Sequence, residues 1–180
     1  MYESKLNLIE LQNIFQEIGK TVTSPVEIFA VGGYCLLKYK GREYTVDVDF
    51  IPFKNEFLVP KEYQDIINSD VSRIADLYLS PKSLVEYIGE TEEYGHLKVH
   101  LADMDLIFAM KVIARADREV ERDDIDFKFL HPKINRTRAY KAYCMVSQTN
   151  PSFEDWSQDL EIDAWLLAND DPFADSDAFA

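Results

Sequence analysis

Cysteine is nearly missing from this chain: Cys35 and Cys144 are the two it has. Both fall in apolar helical patterns, so they read as buried, reduced thiols rather than a disulfide framework. No uninterrupted apolar run is long enough to cross a bilayer. The opening stretch "MYESKLNLIELQ" has no basic region followed by an apolar one, so no secretory leader is expected. These absences together predict a cytoplasmic protein with no membrane partner. Basic residues are missing from the whole of residues 142–180, where nine Asp or Glu stand without one Lys or Arg. With a net charge of −14 over 180 residues, the chain is not a general coat for nucleic acid.

What is present is ample material for a core: 47% of residues are hydrophobic and 13% aromatic, which excludes global disorder. Charge is unevenly spread. Residues 111–141 hold nine Lys or Arg against six Asp or Glu, a mildly basic segment just before the acidic one.

Periodicity predicts a helix over residues 4–18, ended by Gly19, then a short strand "VEIFAV" at 26–31. Gly32 and Gly33 follow, then a short helix closing near Gly41. A strand is expected over 44–51, limited by Pro52. Helical patterns run over 60–79, with Pro60 at a start and Asp70 as an N-cap. "SLVEYIG" and "HLKVHLA" read as a hairpin with "ETEEYG" between them. Asp103 caps a long helix, and further helices are expected over 121–130, 136–147 and 154–168. The class is α+β: a small mixed sheet with helices on one side and a helical C-terminal extension. The expected division is a core over 1–103, a helical part over 104–150 completing an active site, and an acidic helix and tail over 151–180.

The strand "REYTVDVDF" raises a chemical question, because aspartate is depleted in strands and this one carries two. Alternation puts Asp47 and Asp49 on one face, about 6–7 Å apart. An amphipathic strand wetted on its outer face accounts for them. So does a shared divalent ion, since Mg²⁺ is commonly held by one or two carboxylates together with substrate phosphates. The Gly-Gly turn upstream lets backbone come close to a phosphate, and the helix it opens offers free N–H groups.

Residues 31–50, "VGGYCLLKYKGREYTVDVDF", resemble the nucleotide-binding signature of the polymerase-β-type nucleotidyltransferase superfamily. The nearest variety is the AbiE-type toxin nucleotidyltransferases and their uncharacterised bacterial relatives. Residues 105–130, "DLIFAMKVIARADREVERDDIDFKFL", look like that group's second signature. The resemblance implies that Gly32, Gly33, Arg42 and Thr45 bind the nucleotide and that Asp47 and Asp49 hold Mg²⁺, or Mn²⁺. It implies that Lys111 neutralises the triphosphate, followed by Ala114 and Arg115 or Arg118. Asp126 then serves as a base or as an anchor for Lys111, although a surface pair with Arg122 explains it equally well. The implied reaction moves a nucleoside monophosphate from a nucleoside triphosphate to an acceptor hydroxyl on a tRNA end or a protein. The implied setting is a toxin with its antitoxin as partner.

The pattern departs from the family at one place. Many active members have a third carboxylate on a later strand, and the matching strand here offers His100. Asp103, Glu86 and Asp105 are substitutes without a clear alignment. His96 and His100 together are also conceivable Zn²⁺ ligands. The alternative function is therefore an inactive nucleotidyltransferase-like scaffold that binds a nucleotide or a partner protein. In the acidic segment, Trp156, Leu160, Ile162, Ala164, Trp165 and Leu167 suggest a helix that docks on the body.

Overall fold

The computed structural model describes residues 5–55, 57–68, 81–115 and 121–148. The expected Asp70 cap, Arg118 and the helix over 154–168 lie outside them, as do the side chains of Arg115, Arg122 and Asp123.

The first helix, α1, spans Leu8–Thr21. Asn7 starts it: its Oδ1 accepts from the Ile9 and Glu10 amides at 2.9 and 3.1 Å, and Glu10 accepts from the Asn7 amide at 2.8 Å. This reciprocal cap satisfies donors that a bare helix end leaves open. Gly19 does not end the helix as expected. It lies inside α1, buried, where a Cβ would overlap the Tyr94 carbonyl oxygen and fall 2.6 Å from its carbon. Its small size serves close packing, not termination.

Strand β1 (Val26–Val31), helix α2 (Gly33–Lys38) and strand β2 (Val48–Lys54) follow. The strand expected over 44–51 begins later and passes through Pro52. Thr45 instead pairs with Leu6 in an isolated antiparallel bridge (2.7 and 3.0 Å). Pro52 is tolerated because the register against β1 shifts beside its partner Ile28. On its other side β2 meets strand β3 (Ile67–Asn68) only at Val48 and Asp49, so the missing N–H faces no ladder. The helix expected from Pro60 is a single turn, Lys61–Tyr63.

After the helical turn α3 (Pro81–Leu84), strands β4 (Ile88–Tyr94) and β5 (Leu97–Ala102) form a tight hairpin across Gly95-His96, with Gly95 at φ +61°. "ETEEY" is thus strand rather than connection. The five-stranded sheet runs β3-β2-β1-β5-β4 and is mixed: β1 is parallel to β5 and antiparallel to β2. β4 is an edge, so its acids Glu90 and Glu93 stand in water, a common guard on an edge strand.

Glu92 turns the other way, onto the face covered by α1 and α2. It accepts from Tyr34 Oη (2.5 Å), Lys38 Nζ (2.6 Å) and Gln12 Nε2 (3.0 Å). Burial opposes its charge, but the bonds from Lys38, Tyr34 and Gln12 outweigh it and hold the carboxyl below its usual range. A lowered folded-state pKa contributes stability above the unfolded value of about 4.3 that is lost as pH falls through the folded value. Urea midpoints should therefore drop on acidification below pH ~4, and Glu92→Gln should flatten that drop. An unchanged acid slope in the variant would remove Glu92 from the account.

Helices α4 (Met104–Arg115), α5 (Glu121–Leu130) and α6 (Arg136–Ser147) complete the described chain. Asp103 caps α4 as expected, accepting from the Leu106 amide at 2.9 Å. Arg138 of α6 pairs with Asp103 (2.6 Å) and Asp105 (3.0 Å) and lies over the Tyr87 ring. These ties hold the start of α6 beside the start of α4, and the two helices pack along each other. One buried apolar cluster joins sheet and helices, from Leu11 and Phe15 through Phe29 and Phe50 to Phe108, Phe127 and Val146.

Candidate functional site

The site is built where β1 ends and β2 begins. Val31 is opposite Asp49 across the ladder. Gly32 then turns the chain at φ 67°, ψ −134°, a conformation strained for any residue with a Cβ. A Cβ there would also lie 3.1 Å from Asp49 Oδ2. At Gly33 a Cβ would overlap Thr45 Oγ1 and come within 3.2 Å of Arg42 Nη1. Gly32 is thus required by its backbone angles and Gly33 by close approach, and part of the space they leave is taken by the protein's own Asp49, Thr45 and Arg42.

Asp47 precedes β2 and Asp49 lies within it. Both are half-buried, while Val48 between them is fully buried. The strand thus includes only the second of the two aspartates. Thr45 is buried, and its hydroxyl donates to the Asp47 carbonyl at 3.1 Å, so it braces the segment that presents the aspartates.

Arg42 reaches Asp126 on α5. Its Nε donates to Oδ1 at 2.7 Å, and Nη2 pairs with Oδ2. Lys111 Nζ from α4 lies 2.8 Å from the same Oδ2. The Asp126 side chain is 1% exposed, and those of Arg42 and Lys111 are 17% and 15% exposed. Of the two roles implied for Asp126, this geometry is the anchor's: both oxygens are engaged by cations. Bidentate guanidinium–carboxylate pairing fixes position as well as charge. Two cations thus converge on one buried carboxylate.

His100 does not join this group. It is opposite Phe29, two strands and two residues from Asp49, or about 12 Å at ordinary sheet spacing. Its ring nitrogens meet Glu27 Oε2 and Thr91 Oγ1, each at 2.9 Å, and Phe53 packs on it at 4.7 Å. The hydrogen bond to His100 leads the effects that hold Glu27 below its usual pKa. Asp103 and Asp105 belong to the α4–α6 junction, the Glu86 carbonyl accepts from Arg138, and His96 sits in the hairpin turn. Among the described residues no group of three or more His, Cys, Asp or Glu is placed to hold a metal ion.

One feature escaped sequence reading. Leu8, Ile9, Leu37, Lys40, Arg42 and Glu43 line an open groove of about 580 Å³. No local sequence signal marks it; at its rim Lys40 has φ 64°. Set beside known protein families, characterised proteins and solved structures, the chain matches none of them.

Proposed function

We propose that the chain has the nucleotidyltransferase fold and is a metal-dependent nucleotidyltransferase of the cytoplasm, the toxin of a toxin–antitoxin pair. The acceptor hydroxyl, on a tRNA end or a protein, gives up its proton to water as its oxygen attacks the α-phosphorus of a nucleoside triphosphate. A new O–P bond forms, the α–β bridging bond breaks, and pyrophosphate leaves. The observation that carries this reading is a chain of close approaches: Gly32 to Asp49, and Gly33 through Thr45 and Arg42 to Asp126 and Lys111. Residues far apart in sequence thereby meet at one end of the sheet, with Arg42 and Lys111 near the segment that carries the two aspartates.

Asp47 and Asp49 offer the hard oxygen donors that suit Mg²⁺ or Mn²⁺, with phosphate and water oxygens completing the shell. A bound ion supplies charge neutralisation at the phosphates. Arg42 and Lys111 hold further positive charge in place, with Asp126 orienting both. Thr45 keeps the Gly33 turn and the aspartate segment in register.

The test is thermal unfolding with ATP, GTP, CTP and UTP, each with and without Mg²⁺. A triphosphate at 100 times its Kd should add about 2.7 kcal/mol to stability, and Asp49→Asn should abolish the metal-dependent part while leaving the unliganded midpoint near that of the parent. No shift with any triphosphate and metal would end this reading.

A second reading is a non-catalytic scaffold of the same fold that binds a nucleotide or a partner protein. Its support is that Arg42 and Lys111 both clasp Asp126, with no third carboxylate beside Asp47 and Asp49 among the described residues. Transfer of labelled α-phosphate into RNA or protein separates enzyme from scaffold.

A further inference from the structure

The groove beside Arg42 combines two features that seldom occur together on a surface this acidic. Its floor is apolar: Leu8 and Leu37 line it, and Ile9 is 70% exposed there. Its rim is mostly basic, with Lys40 and Arg42 against Glu43. Lys40 moreover holds a left-handed backbone, φ 64°, which costs a side-chain-bearing residue about 1–2 kcal/mol. Glycine is the ordinary occupant of such a position at a helix end. A lysine retained at that cost fits a side chain in use.

The geometry points to the chain's own residues 149–180 as the occupant of this groove. That segment has nine Asp or Glu and no Lys or Arg, the inverse of the rim. It also carries Trp156, Leu160, Trp165 and Leu167, which match the apolar floor. Trp156, Leu160 and Leu167 fall at helical spacing in the sequence with Asp155, Asp159 and Asp163 around them, a pattern that would put both chemistries on one face. Reach is not limiting. The segment begins one residue beyond Gln148, and a chain of its 32 residues spans about 30 Å even when coiled. A body of this size has a radius of gyration near 15 Å, or a radius of about 19 Å. The contact seats carboxylates against the basic rim formed by Lys40 and Arg42. It needs no nucleotide, so it stands or falls apart from the transfer reaction.

Trp156 and Trp165 are the chain's two tryptophans, so intrinsic fluorescence of the full chain reads this segment alone. Docked indoles emit at shorter wavelength than indoles in water. The double variant Ile9→Glu, Lys40→Glu changes two exposed groove residues and should shift the emission to the red. Asp159→Asn with Glu161→Gln and Asp163→Asn, which alters only the segment, should produce a shift in the same direction. Lys61→Glu, an exposed change outside the groove, should produce none. Emission at the water-exposed wavelength in the parent chain would overturn the contact, as would emission indifferent to both sets of groove and segment changes. Emission that moves with protein concentration would assign the occupant to a second copy and equally overturn it.

Discussion

Asp126→Ala should lower the free energy of unfolding by about 3–5 kcal/mol, a large share of the roughly 5–15 kcal/mol that holds a domain folded. The Asp126 carboxylate is 1% exposed and is the shared partner of Arg42 and Lys111, whose side chains are themselves mostly buried. Deleting it takes this shared, buried partner from both cations. The loss should appear as a reduced urea midpoint with an unchanged slope. A triple variant, Arg42→Met with Lys111→Met and Asp126→Leu, should recover most of the loss. It removes all three charges of the clasp at once, and replacing a buried ion cluster by apolar side chains is often near neutral. The pair of measurements separates anchor from base. If Asp126 served only as a base, Asp126→Ala would retain the parent's midpoint.

Gly19→Ala should be nearly as damaging, at about 3 kcal/mol or more. On helix propensity alone the change should help by about 1 kcal/mol, so the sign of the result is decisive. The added methyl group meets backbone, the Tyr94 carbonyl, rather than a movable side chain. Relief requires α1 to lift from β4, which also strains the bond from the His96 amide to the Gly19 carbonyl at 3.3 Å. Glu17→Ala, on the exposed side of the same helix, serves as the control and should stay within about 0.5 kcal/mol. A Gly19→Ala protein as stable as its parent would mean that α1 does not seat on the sheet at this point.

Local signals carried much of this fold. The helix over 136–147 appears at Arg136–Ser147, where Asn135 caps it by accepting from the Arg138 amide at 3.1 Å. The strand at 26–31 and the Gly-Gly turn after it are where periodicity put them. The failures share a cause, which is a partner distant in sequence. Gly19 looked like a terminator because nothing near it in sequence reveals Tyr94. "ETEEY" looked like a loop because its acids suit an edge strand, and edge position depends on the whole sheet order. His100 looked like a third ligand because it stands at the right place along its own strand. The register of β5 on β1 then put it opposite Phe29. At the site, residue identities were legible and their pairing was only partly so. The clasp of Lys111 by Asp126 was one of two readings, whereas Arg42 on Asp126 spans 84 residues and left no local trace.

The bridge between Leu6 and Thr45 gives the segment before α1 a share in the site. Two hydrogen bonds, Leu6 amide to Thr45 carbonyl and Thr45 amide to Leu6 carbonyl, clip that segment onto the loop bearing Arg42 and Thr45. An affinity tag fused ahead of it, or a trimmed start, therefore tampers with the frame around Gly33, however remote the change looks on a sequence map. During synthesis the order is reversed: Leu6 emerges early and must wait for Thr45 before its backbone is satisfied. The pocket's frame is thus closed from both sides of β1, and only after β1 and α2 have left the ribosome.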